Sequence, residues 1–166
     1  MSDRLCAEIR IGGNIPSSLV GELCRVIRNE GVGLEWGEGG FSPADANDLM
    51  KALEGGDGGM LCLKDTEASW GEFAGLEQFC VEHGIAFDRK TEGKYEFDPE
   101  TSSFRPGMSD ALVEVTNESG ERVVAEREVR KLKELVKDKK NELALKLIER
   151  WFPQLPPLEP FRIVEG

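Results

Sequence analysis

Apolar and polar residues alternate from Leu5 to Ile11: Leu5, Ala7, Ile9 and Ile11 fall on one side and Cys6, Glu8 and Arg10 on the other, the period of a half-buried β-strand. Gly12-Gly13-Asn14 breaks the alternation. Behind Pro16, which a first helical turn tolerates, Leu19, Val20, Leu23, Val26 and Ile27 recur at helical spacing until Asn29-Glu30-Gly31 stops them. Residues 32–36 read as a short, glycine-diluted strand. Ser42-Pro43-Ala44-Asp45 predicts a second helix with Ser42 as its cap, and Ala46, Leu49, Met50 and Leu53 supply its apolar stripe. A glycine loop at 55–59 leads into a strand at 60–64. Ser69 and Glu72 have the spacing of a capping box for a third helix, whose buried face is Phe73, Leu76, Phe79 and Cys80 and whose end is His83-Gly84.

Residues 85–89 and 94–98 flank Lys90-Thr91-Glu92-Gly93, a hairpin with Ile85, Phe87, Tyr95 and Phe97 as its apolar set. Residues 98–110, rich in proline, serine and threonine, read as a connection. A smaller hairpin is expected from 112–116 and 122–124 around Asn117-Glu118-Ser119-Gly120. From 125 to 152 the pattern is that of one long helix with Val129, Leu132, Val136, Leu143, Leu147 and Trp151 along a single stripe. That stripe weakens at Lys137-Asp138-Lys139-Lys140-Asn141, where the helix is expected to be exposed or bent. Pro153 ends the helix, and the proline-rich tail cannot be helical, so it lies extended over a surface or is mobile.

Cys62 and Cys80 repeat the spacing of Cys6 and Cys24, each first cysteine on a strand and each second one on a helix. A strand and helix used twice, with further strands, is the outline of a ferredoxin-like α+β sandwich. The expected architecture is therefore a doubled β-α-β domain with an added helix at 1–108, followed by a C-terminal part at 109–166 containing a β-hairpin, a long α-helix and a tail.

Composition adds a soluble globular character: 166 residues, 39% hydrophobic and 32% charged. No apolar run has the length of a membrane span, and the first ten residues lack a signal-peptide core, which makes a cytoplasmic location the expectation. None of the four cysteines sits in a C-x-x-C pair, so they are expected as reduced packing residues, with Cys24 and Cys80 turned toward the sheet. The net charge of −11 is unevenly spread. Residues 1–108 carry 20 acidic and 10 basic side chains, whereas 127–150 carry nine basic and five acidic. Opposite excesses attract, within one chain or between two, and the overall negative charge disfavours nucleic acid as a partner.

Candidate chemistry is sparse. Gly12, Gly13, Asn14, Ser17 and Ser18 follow a strand and open a helix, the order that can present N–H groups to a phosphate, but the stretch has no P-loop lysine and does not match G-x-G-x-x-G. A plain turn and cap is the better explanation. Cys80 and His83 share a helical face, yet the single histidine and the lack of a second matching pair leave no four-ligand zinc set and no third residue to orient a nucleophile and base. No cofactor is implied and catalysis has no support. The reading that accounts for both the charge asymmetry and the long helix is a non-catalytic protein-interaction or regulatory module, self-associating as a homodimer through Val129, Leu132, Val136, Leu143, Leu147 and Trp151. The alternative is a small-ligand or phosphate-binding protein or enzyme using the loop at 12–18 or the open face of the sheet.

Overall fold

The structure, a computed structural model, describes residues 3–54, 58–94 and 96–166. Gly55, Gly56 and Asp57 of the expected glycine loop, and Tyr95 of the expected hairpin, lie outside the described residues. The alternating stretch at the N-terminus is β1 (Arg4–Gly12), and after a short β2 (Asn14–Pro16) and a 3-10 turn comes α1 (Val20–Glu30). Gly31 closes α1 in the left-handed conformation, φ 70°, which glycine adopts without a Cβ clash. There follow α2 (Ala46–Leu53), β3 (Leu61–Ser69), α3 (Ala74–His83) and β4 (Ala86–Thr91). The remainder is β5 (Glu100–Phe104), β6 (Leu112–Val115), α4 (Glu126–Lys137), α5 (Asn141–Trp151) and β7 (Arg162–Val164).

The protein is a mixed α+β structure built on a five-stranded antiparallel sheet in the order β3-β1-β4-β5-β6. The inward sides of β1 and β3, carrying Ile9, Ile11, Leu61 and Leu63, form one core with Leu23, Cys24 and Ile27 of α1 and Leu76, Phe79 and Cys80 of α3. Phe161 of the tail joins that core. The segment after residue 108 forms two strand pairings with the rest, β6 on β5 and β7 running parallel to β2.

Several local expectations are corrected. Residues 32–36 are not a strand: only Gly33 pairs with β3, at Lys64, through two backbone bonds of 2.8 and 2.9 Å. The chain turns back at once, and a Cβ on Gly33 would lie 1.4 Å from the Glu38 carbonyl oxygen. The second helix starts three residues later than Ser42 suggests, because Asp45 is the extended cap and its carboxylate accepts the Asp48 N–H. Ser69 is the last residue of β3 rather than a cap. Trp70 and Gly71 turn the chain at φ 57° and 69°, and the α3 terminus is capped by Glu77, which accepts the Phe73 N–H at 2.7 Å. Glu30 at the end of α1 accepts the Leu76 N–H at 2.9 Å, so one helix caps the start of another.

The partner of β4 is not 94–98 but β5, which lies in the stretch expected to be a connection. Lys94 and Phe97 form only an isolated bridge, and Arg122 likewise returns as a single bridge with Thr116, just past the end of β6. The long helix is two helices. Lys139 takes a left-handed φ of 57°, its N–H donates to the Val136 carbonyl and the Lys140 N–H donates to the Leu135 carbonyl, the reciprocal pair of a Schellman stop. After this turn α5 packs back along α4 as a helical hairpin.

Candidate functional site

The loop that opens α1 serves the tail. The Gly13 N–H donates to the Glu159 carbonyl and the Gly13 carbonyl accepts the Arg162 N–H, both at 2.9 Å. A Cβ on Gly12 would lie 2.0 Å from the Glu159 carbonyl oxygen, so the close approach of the tail requires glycine there. Asn14 pairs in register with Arg162. Ser17 and Ser18, exposed, begin the 3-10 turn, where no side chain caps the N-terminus. The Gly13 amide that an anion would need is thus engaged by the chain itself. A cavity of about 430 Å³ beside Gly13 and Asn14 reaches Arg105 and Arg162. Arg105 is committed to the fold, donating to both Asp88 carboxylate oxygens and to the Phe87, Phe104 and Pro156 carbonyls.

On the side of the sheet away from α1 and α3 the strand registers line up two rows of polar positions. One runs Lys64, Glu8, Lys90, Thr101, Glu114 and the other Cys62, Arg10, Asp88, Ser103. Neighbouring charges alternate in sign, as cross-strand pairing favours. Arg10 bonds Glu8 at 2.8 Å, Arg105 bonds Asp88 at 2.8 Å, and Arg122 pairs with Glu114. The tail from Phe152 to Leu155 walls this face into a concavity of about 1090 Å³. Its lining carries five cations, Arg10, Arg89, Lys90, Arg105 and Arg122, against Glu8, Asp88, Glu114 and Glu121, and most of these charges are paired with one another. At its rim the Thr116 hydroxyl is buried without a hydrogen-bond partner among the described residues.

The cysteines divide by face. Cys24 and Cys80 are buried in the core, whereas Cys6 and Cys62 lie half-buried on the polar side, donating weakly to the Thr66 and Met60 carbonyls. No disulfide joins them. Burial pushes the Cys80 thiol far above its ordinary range, so it stays protonated and is no nucleophile at neutral pH. Burial also raises Cys24 and Cys6. His83 is exposed at the end of α3, its ring 4.5 Å from Phe79. Among the described residues no group of three or more histidine, cysteine, aspartate or glutamate side chains is placed to hold a metal ion, and no helix is long and apolar enough to cross a membrane.

A buried arginine was not legible in the pattern. Arg89 lies on the inward side of β4 beneath α3 and donates to Glu77, Glu100, the Thr91 hydroxyl and the Gly71 carbonyl at 2.5–3.0 Å. Burial opposes its charge, but Glu77 and Glu100 outweigh burial and raise its pKa. This guanidinium is wholly engaged in tying α3 to β4 and β5, a structural role.

The helical hairpin is different in kind. Among the helices and strands, α4 and α5 pack extensively only on each other. Ala144 and Leu147 are buried yet stand outside the main core, so their burial is that of the hairpin seam. Of the expected interface residues, Leu147 is therefore inside the seam, Leu132 and Trp151 are half-buried, and Val129, Val136 and Leu143 remain in solvent. The turn at Lys139 has divided the single stripe between two helices. A groove of about 1080 Å³ runs between them over Leu135, Leu143 and Leu147. Five cations border it, Arg127, Arg130, Lys131, Lys146 and Arg150, against Glu134, Asp138 and Glu149. The spacing of Ala144, Leu147, Ile148 and Trp151 was the available signal for the seam.

Comparison with family models, with curated proteins and with solved structures finds no match to this chain.

Proposed function

We propose that this chain is a non-catalytic protein-interaction or regulatory module that self-associates through the α4–α5 hairpin. One observation carries the reading: the two helices pack extensively only on each other while Val129, Val136, Leu143 and Leu145 stay 49%, 55%, 51% and 56% exposed. Four large aliphatic side chains left in solvent on one supersecondary unit, with Leu143 among them lining the groove between its helices, are the mark of a surface that docks on protein. The division that matters for this function runs between residues 1–108, which carry the acidic excess, and 109–166, which carry the hairpin.

We read the sheet as ferredoxin-like on the strength of the Gly33–Lys64 bridge. Counted as a strand reduced to one pair, it lies outside β3, antiparallel to it and so parallel to β1. β1 and the Gly33 pair then flank β3, and β3 and β4 flank β1, which is the interleaving of two β-α-β units. The four free thiols support a reducing, cytoplasmic setting.

Sedimentation velocity on the full chain through the micromolar range tests the function. The wild type should self-associate, and Leu143→Asp should shift it to monomer with unchanged helix content by circular dichroism. A wild type that stays monomeric throughout would overturn the proposal.

A further inference from the structure

We infer that each hairpin docks on the acidic body of a second copy of the chain, reciprocally, so that two copies close into a two-fold dimer. This rests on the self-association proposed above and adds which surfaces meet. Hairpin against hairpin would oppose two surfaces with the same excess, nine basic to five acidic side chains over 127–150. The body of the same chain has the complement, 20 acidic to 10 basic over 1–108.

The body also offers apolar anchors within its acidic surface. Trp36 and Met50 are 45% and 46% exposed, and Glu35, Glu38 and Glu54 beside them in sequence are exposed as well. The Trp36 loop and α2 both border β3, the first through the Gly33–Lys64 bridge and the second by packing on it. Around this aromatic and thioether, Glu35, Glu38 and Glu54 outnumber Lys51 and Lys64, the latter 6.0 Å from the Trp36 ring and paired with Glu35. Five cations outnumber three carboxylates around the aliphatic groove, so the two surfaces match in polarity and in net charge. The hairpin does not reach its own body in this way, since α4 and α5 pack extensively only on each other. A reciprocal exchange uses the contact twice and is self-complementary, whereas a one-way contact between copies would leave one surface of each kind open at the ends.

Charge reversal in trans tests the pairing. Arg127→Glu/Lys146→Glu alters only the hairpin, and Glu38→Lys/Glu54→Lys alters only the body; none of these four side chains has a capping role. Each double variant alone should dimerise at least about tenfold more weakly than wild type by sedimentation equilibrium, a change of about 1.4 kcal/mol. An equimolar mixture of the two should recover a heterodimer, because each reversed hairpin then meets a reversed body. A Glu38→Lys/Glu54→Lys protein that dimerises as tightly as wild type would overturn the inference and leave self-association standing; a monomeric wild type would overturn both. Should either variant lose helix content, wild-type affinity measured from about 0.05 to 0.5 M salt decides in its place, since screening weakens a charge-matched contact. A dissociation constant indifferent to salt would overturn the pairing.

Discussion

Burying Arg89 beneath α3 and leaving Leu145 in water are opposite outcomes within one chain, and they mark two regions held by different contacts. In the body, strands and helices distant in sequence share one core, and the single arginine beneath α3 has its donors met by four partners drawn from different segments. In the hairpin every substantial helix contact is between neighbours in sequence, and two buried residues, Ala144 and Leu147, form the seam. The lesson is one of dependence. The body shares one core among distant segments, whereas the hairpin rests on a seam of its own and leaves Val129, Val136, Leu143 and Leu145 in solvent, which is why the proposed function is placed there.

The largest expected effect breaks the body. Arg89→Met leaves the Glu77 carboxylate, 14% exposed, without its cation and strips Glu100 of the same partner. Removing one member of a buried ion pair costs about 3–5 kcal/mol, and urea unfolding should register a loss of that order. Arg89→Lys should recover only part of it, because an ammonium cannot span four acceptors in the guanidinium plane. A loss below about 1 kcal/mol would show that the network follows the fold rather than fixing it.

How far the two regions could be read from sequence follows from the same chemistry. β1, α1, α3 and the first half of β3 were legible because their inward positions are apolar and their periods are clean, as at Leu5, Ala7, Ile9 and Ile11, whereas β3 continues through mostly polar residues to Ser69 beyond the expected 60–64. β5 was not, because its inward residues Glu100 and Ser102 lie opposite Thr91 and Arg89, so a strand inside a polar network looks like a loop. The caps were displaced for a related reason: Asp45 and Glu77 satisfy the helix termini, although Ser42 and Ser69 are the more conventional signals. In the hairpin the weakening of the stripe at 137–141 marked where the helix breaks, but the grouping of its aliphatic residues on one stripe failed at Lys139, and Leu135 and Leu145 were not read as part of it. The engagement of Gly13 by the tail was invisible, since nothing local in Gly12-Gly13-Asn14 records a carbonyl arriving from Glu159.

A smaller effect sharpens the hairpin side. Lys139 holds φ 57° at the position where helices commonly place glycine, and a Cβ there is strained against the following carbonyl. Lys139→Gly should relieve that strain and stabilise the hairpin by about 0.5–1 kcal/mol, net of the greater freedom glycine has when unfolded. Amide exchange distinguishes the regions: protection should rise across α4 and α5 and stay unchanged in β1 and β3. An equal rise in both would mean that hairpin and body open as one unit.

The smallest effect separates the regions by pH. Burial raises the pKa of Glu30 above 4.5, the Leu76 and Gly75 N–H groups oppose that rise, and the nearby Glu77 and Asp65 add to it. Between 4.5 and the raised folded value the native body holds more proton than the unfolded chain, so its stability falls as pH rises through that window and stays reduced above it. In the hairpin the sign is reversed. The hydrogen bond from Lys131 lowers the pKa of exposed Glu128 below 4.5, and the stability it contributes is present above that value and lost as pH falls through the folded pKa. Glu30→Gln keeps an oxygen for the Leu76 N–H but cannot ionise. The wild-type stability minus that of Glu30→Gln should therefore decline with rising pH above 4.5 for body amides. Hairpin amides that open on their own should show no such decline. A difference that rises with pH would place the two N–H bonds above burial in setting the state of Glu30.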